Sequence, residues 1–232
     1  MIKKTILIIT SIFALIVNCC AQDFSETEQI TEPLELGLDY DFKITLGEEE
    51  DFGDFTTYAY FKLERNNTVI YIDSSSTEYQ FNSDVFPIIL QTGDNSFELL
   101  FEINDRPNKN YLKRLFVSND TLTGQDKLPT FETYPVDIND DGIDEFAGYW
   151  DYAQIGSEGT NIVTGYNPIL YYSVTGNGLK LDSVLTKQRN EMIYGQFYGF
   201  SLDAPSQPIR VMEKFNQELN FIRNMAYIRY YR

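Results

Sequence analysis

Phe55-Thr56-Thr57-Tyr58-Ala59-Tyr60-Phe61-Lys62-Leu63-Glu64-Arg65-Asn66-Asn67-Thr68-Val69-Ile70-Tyr71-Ile72 reads as a β-hairpin, and much of the chain repeats its pattern. Ala59, Phe61 and Leu63 alternate with Tyr58 and Tyr60, the period of two that gives a strand two unlike faces. Asn66 and Asn67 tolerate φ > 0, so Arg65-Asn66-Asn67-Thr68 turns tightly and Val69–Ile72 returns. Working outward, the same signals predict strands at Tyr40–Leu46, Glu78–Phe81, Phe97–Ile103, Tyr111–Ser118 and Ile169–Val174. A Gly176-Asn177-Gly178 turn leads to a return strand from Leu179, and Tyr194–Leu202 reads as a Gly-punctuated aromatic strand. Glu48–Asp51, Ser74–Ser76, Asn104–Asn108 and Asn119–Pro129 read as turns or loops. Aromatics make up 15% of the chain, and rings fit the half-buried surface of a sheet. Near the C-terminus Val211, Phe215, Leu219 and Ile222 fall at helical spacing. They predict a short helix near 210–222, followed by an extended Ala226–Tyr231. The expected class is all-β: an antiparallel meander, either propeller-like or a sandwich, with one short C-terminal helix.

The chain opens on Lys3 and Lys4, an apolar run from Ile6 to Val17, and Asn18-Cys19-Cys20-Ala21-Gln22. A basic start followed by about a dozen apolar residues describes a secretory leader, and the run is shorter than the roughly 20 residues a membrane helix needs. Two processing readings stand. Small residues at Cys19 and Ala21 suit cleavage before Gln22. Ile16-Val17-Asn18-Cys19 resembles a lipobox, with Cys19 or Cys20 carrying a lipid anchor. The expectation is an exported protein, in the periplasm, at the outer membrane or cell surface, or outside the cell. Residues 1–21 are the leader, 22–35 an acidic linker and 36–232 one β-rich domain, with no transmembrane segment in the mature chain.

Between two expected strands, Thr133–Val136 and Phe146–Trp150, stands Asp137-Ile138-Asn139-Asp140-Asp141-Gly142-Ile143-Asp144-Glu145. Oxygen-bearing side chains occupy positions one, three and five, a glycine position six and a carboxylate position nine. Calcium is a hard cation that takes six to eight oxygen ligands. Asp137, Asn139 and Asp141 offer side chains, Ile143 its carbonyl, and Glu145 closes the ring. Gly142 allows a turn with φ > 0. An EF-hand needs a bidentate Glu at position twelve, and Gly148 stands there, so this loop is of another kind. The bland alternative is an acidic hairpin turn.

Composition removes several classes. There are 35 acidic against 18 basic residues, a formal net charge of −17, and Lys3 and Lys4 leave with the leader. Nucleic acid is therefore an unsuitable partner, because phosphate binding needs clustered Lys and Arg; a cationic protein suits the charge better. Histidine is absent and the two cysteines lie in the leader segment. Usual zinc, copper and haem ligand sets are thus missing from the mature chain, as are Ser-His-Asp and Cys-His nucleophile systems.

The loop resembles the FG-GAP or integrin-α type calcium loop, D-x-D-x-D-G-x-x-D, with Asn139 at the third position and Glu145 at the ninth. Over about residues 131–185 the order of strand, acidic loop, aromatic strand, Ile169-Leu170-Tyr171-Tyr172 strand and Gly-Asn-Gly turn resembles FG-GAP/VCBS bacterial envelope proteins. These carry one calcium blade in a compact β-propeller-like domain. The leading expectation is a non-enzymatic envelope or secreted binding protein with one structural Ca2+ and a protein or glycan partner. Trp150, beside Tyr149 and Tyr152, offers either a sugar platform or a core residue. Some proteins of that kind inhibit lysozymes, which makes a lysozyme-inhibitor-like role the specific alternative. A carboxylate-based hydrolase is a third reading.

Overall fold

The computed structural model describes residues 33–74, 77–81, 83, 85–106, 110–150, 155–158, 161–201 and 211–230. Residues 32–232 cluster as one compact unit. The first nine strands form one antiparallel sheet: β1 (Leu34–Gly37), β2 (Phe42–Asp51), β3 (Thr56–Arg65), β4 (Thr68–Asp73), β5 (Glu78–Gln80), β6 (Ile88–Gly93), β7 (Ser96–Asn104), β8 (Tyr111–Ser118) and β9 (Thr121–Leu128). Its path runs β1-β2-β3-β5-β7-β8-β9, with β4 alongside β3 and β6 alongside β7. A second sheet pairs β10 (Thr130–Phe131), β11 (Glu145–Tyr149), β14 (Leu170–Thr175) and β15 (Gly178–Leu181) in that order. A separate hairpin of β12 (Ile155–Glu158) and β13 (Asn161–Thr164) interrupts it. Two helices follow, α1 (Ser183–Tyr194) and α2 (Met212–Tyr230).

The hairpin around Asn66 and Asn67 is β3–β4. Arg65 lies opposite Thr68, with φ of 50° at Asn66 and 60° at Asn67. Period-two alternation sends Phe42, Ile44 and Leu46 of β2, Phe61 and Leu63 of β3, and Phe97, Leu99, Phe101 and Ile103 of β7 into one core. Phe61 stacks on Tyr79 at 4.3 Å and meets Phe101 edge-on at 4.9 Å. The opposite face of β7–β9 presents Leu100, Leu112 and Leu128 to Phe131, Phe146 and Leu179 of the second sheet. The far face of that sheet packs Ala147 and Tyr171 under Leu185 and Ile193 of α1 and Leu219, Ile222 and Ala226 of α2. The layers are therefore large sheet, small sheet and helices. Both sheets are open along the paths given, so the meander with sandwich packing is the architecture.

Several local expectations are corrected. Glu48–Asp51 is not a loop: β2 continues through it, with Glu49 opposite Tyr58 and Asp51 opposite Thr56. The carboxylates are exposed there, so backbone pairing costs them no hydration. Asn119–Pro129 is not a loop either. Asn119 and Asp120 turn at φ 48° and 56°, and β9 returns beside β8. Tyr40–Leu46 is not one strand, because a 3-10 turn at Asp39–Asp41 separates β1 from β2. β1 starts at Leu34, inside the stretch expected to be linker. Thr133–Val136 contributes only a bridge between Val136 and Glu145. From Gly195 to Ser201 the chain is irregular rather than a strand; Leu202 lies outside the described residues, as do Ser75, Ser76 and Asn108. The C-terminal helix exists, but runs on to Tyr230 through the segment expected to be extended.

Buried phenols make an alkaline prediction. Burial, with Tyr71 and Asp73 beside it, pushes Tyr79 well above the usual value near 10; burial raises Tyr171 and Tyr194 too. Tyr166 and Tyr172 are pushed up to about 12, again chiefly by burial. The folded chain keeps these protons after the unfolded chain has lost them. Stability that is fully present below pH ~10 is thus lost above it, by up to about 1.4 kcal/mol per pH unit per phenol. The urea midpoint should fall steadily from about pH 9.5 to 11; a flat midpoint over that range would refute the burial of these hydroxyls.

Candidate metal centre

The acidic loop hangs between β10 and β11, and the backbone pins both its ends. Val136 N–H donates to Glu145 O at 3.0 Å and Glu145 N–H to Val136 O at 2.8 Å. Within that closure Asp140 (φ 60°) and Gly142 (φ 87°) take left-handed conformations, which curl the chain back on itself. The side chains then fasten the coil. Asp137 Oδ1 accepts from Asp141 N–H at 3.0 Å and its Oδ2 from Gly142 N–H at 2.8 Å. Asn139 Oδ1 accepts from Asp141 N–H at 3.1 Å. Asp141 Oδ1 accepts from Ile143 N–H at 2.9 Å, and its Oδ2 takes the Asn139 amide at 3.0 Å.

Asp137, Asn139 and Asp141 thus stand together on one curled loop. In this geometry they face loop amides, and among the described residues no three acidic side chains gather as a ready-made metal cluster. Ile143 carries an exposed side chain on the outside of the loop.

Glu145 differs from the rest. It is 1% exposed. Its Oε2 accepts from Ile138 N–H at 3.0 Å, while its Oε1 is buried with no hydrogen-bond partner among the described residues. Burial pushes its carboxyl up to about 7; the Ile138 N–H works against this, and the charges of Asp141, Asp137 and Asp182 add to it. A buried acceptor without a donor costs about 1–3 kcal/mol, more when charged. The loop thus ends on an acidic group short of positive charge.

Two neighbours of the loop were not legible in the sequence. Asp182 caps α1, its Oδ1 accepting from Val184 N–H at 3.0 Å and Leu185 N–H at 2.8 Å. A groove of about 450 Å³ lies between α1 and the loop, lined by Ile138, Asn139, Leu185, Gln188, Arg189 and Met192 among others. The second neighbour is α2. Arg229 Nη1 pairs with Asp144 Oδ1, Tyr230 OH donates to Pro135 O at 2.9 Å, and the Tyr134 and Tyr230 rings lie 4.8 Å apart. These partners stand 85 to 96 residues apart in sequence, so no local pattern could announce them. Trp150 packs half-buried against the core of the large sheet, which is the core reading of that residue. Tyr152 lies outside the described residues.

Comparison with known protein families, with characterised proteins and with solved structures returns no match.

Proposed function

We propose that this chain is an exported, non-enzymatic binding domain whose Asp137–Glu145 hairpin holds one structural calcium ion. The observation that carries the reading is Glu145, a carboxylate buried at the inner end of an oxygen-rich loop with one oxygen unpartnered. The donor set fits a hard cation: three carboxylates, one amide oxygen and a backbone carbonyl, without nitrogen or sulfur. A carboxylate oxygen has two lone pairs, so an oxygen already bonded to a loop N–H keeps one for an ion. Asp137, Asn139, Asp141 and Glu145 would hold the ion through side chains and Ile143 through its carbonyl. The ion would supply positive charge beside a buried carboxylate and cross-link the two strands that enter the second sheet.

The leader sequence supports export, and among the described residues no helix is long and apolar enough to cross a membrane. With a net charge of −17, the surface favours a cationic protein or a neutral glycan over nucleic acid.

Calorimetric titration tests the site. The wild type is expected to bind calcium with a dissociation constant on the order of 0.1–1 mM, as extracellular modules do. Asp137→Ala and Asp141→Ala should each abolish the binding heat. An unchanged calcium response in both variants would remove the loop as the site.

A further inference from the structure

We infer that the C-terminal helix α2 is latched by the cation hairpin: filling the loop tightens the helix's last turn, and emptying it loosens that turn. The inference rests on the calcium reading above and adds a regulated element to it.

The grip is distributed over both arms of the hairpin. On the incoming arm, Arg223 Nη2 lies 2.6 Å from Glu132 Oε2, Tyr230 OH reaches Pro135 O, and the Tyr230 ring meets Tyr134. On the outgoing arm, Arg229 pairs with Asp144. Asp144 stands between Ile143 and Glu145, two of the residues assigned to the ion. Its backbone is fixed from the other side too, since Val174 N–H donates to Asp144 O at 2.8 Å. The position of the Asp144 carboxylate against Arg229 therefore follows from how the backbone leaves the loop into β11.

The helix divides into two halves by what holds them. Leu219, Ile222 and Ala226 are buried against the second sheet. Past Ala226 no helix residue is buried: Tyr227 is 63% exposed, Ile228 53% and Tyr230 44%. Arg229 and Tyr230 of this last turn both reach the hairpin, which ties the order of the helix end to the order of the hairpin. An empty loop, with the Asp137 and Asp141 carboxylates held by loop amides and no positive charge beside Glu145, is the looser of the two states, and a cation that tightens it also sets Asp144 and Pro135 for the helix. Binding linkage makes this reciprocal: a helix end that docks better on the filled loop must itself raise the affinity for the ion.

The test uses the full chain with calcium chloride as the probe. Hydrogen exchange in calcium and in EDTA should show amides of residues 227–230 exchanging about 5-fold or more slowly with calcium, the lower end of ordinary couplings. The double variant Arg229→Gln/Tyr230→Ala leaves Leu219, Ile222 and Ala226 in place and should bind calcium about 5-fold or more weakly by titration. Calcium that binds the wild type without slowing those amides, or that binds the double variant as tightly, overturns the latch and leaves the calcium site standing. A wild type that binds no calcium overturns both.

Discussion

Lys113→Ala is expected to destabilise the fold by about 3–5 kcal/mol, the range for breaking a buried ion pair from one side. Lys113 projects from β8 among apolar core residues, with its side chain 11% exposed and that of its partner Asp73 10%. Its ammonium has three donors, and each is used: Asp73 Oδ2 at 2.6 Å, Tyr71 OH at 2.7 Å and Tyr79 OH at 2.8 Å. Both phenols in turn donate to Asp73 Oδ2, at 3.0 and 2.9 Å. Burial alone would lower the Lys113 pKa, but Asp73 and Tyr71 together hold it above its ordinary value. The group is therefore a closed charge cluster at the place where β4, β5 and β8 share one core. Alanine would leave the buried Asp73 carboxylate without its ammonium partner. The midpoint of thermal unfolding should drop by roughly 6–20 °C for that loss. Removing both charges with Lys113→Met and Asp73→Leu should restore much of it, since apolar replacement of a buried pair is often neutral. A single variant that costs under about 1 kcal/mol would contradict the desolvated pair.

Gly178→Ala is the second large effect, at about 2–4 kcal/mol. Gly178 starts β15 with φ 93°, and a Cβ there would lie 1.9 Å from Glu98 Oε1. Glu98 is 5% exposed, and its Oε2 accepts from Leu179 N–H at 3.1 Å and lies 3.5 Å from Arg114. Arg114 also donates to Leu179 O at 3.2 Å. This polar knot joins the large sheet to the small one. Alanine combines left-handed strain of about 1–3 kcal/mol with overpacking of similar size, and moving Glu98 aside would strip its bond to Leu179. Gly176, one turn residue away, meets nothing within 4 Å, so Gly176→Ala should stay within about 0.5 kcal/mol by the same urea titration. Equal effects at the two glycines would refute the knot.

Local pattern carried the β3–β4 and β14–β15 hairpins and the acidic loop, because each is decided within about ten residues. The β3–β4 turn needs only two asparagines that accept φ > 0, and the loop needs only its spacing. α1 escaped because its buried face is half polar. Thr186 Oγ1 accepts from Tyr171 N–H at 3.1 Å, and Asn190 bonds both Ile169 N–H and Ile169 O, at 3.0 and 2.7 Å. Leu185 and Ile193 alone do not make a helical stripe. β9 escaped because, as an outer strand of the sheet, it sends in little beyond Leu122 and Leu128. The end of α2 looked extended from its aromatic and β-branched residues; contacts at Pro135 and Asp144, remote in sequence, hold it helical. The unpartnered oxygen of Glu145 likewise appears only once the Val136–Glu145 bridge has buried the side chain.

A calcium ion that completes the Asp137–Glu145 hairpin, as proposed, must stabilise the folded chain. Thermal unfolding of residues 22–232 in EDTA, in roughly 10 mM calcium and in roughly 10 mM magnesium tests it most directly. A dissociation constant of about 0.1 mM gives about 2.7 kcal/mol at hundredfold excess, a rise of roughly 5–11 °C for a domain of this size. The account predicts that rise with calcium and not with magnesium. An unchanged midpoint, or the same rise with both ions, would contradict it.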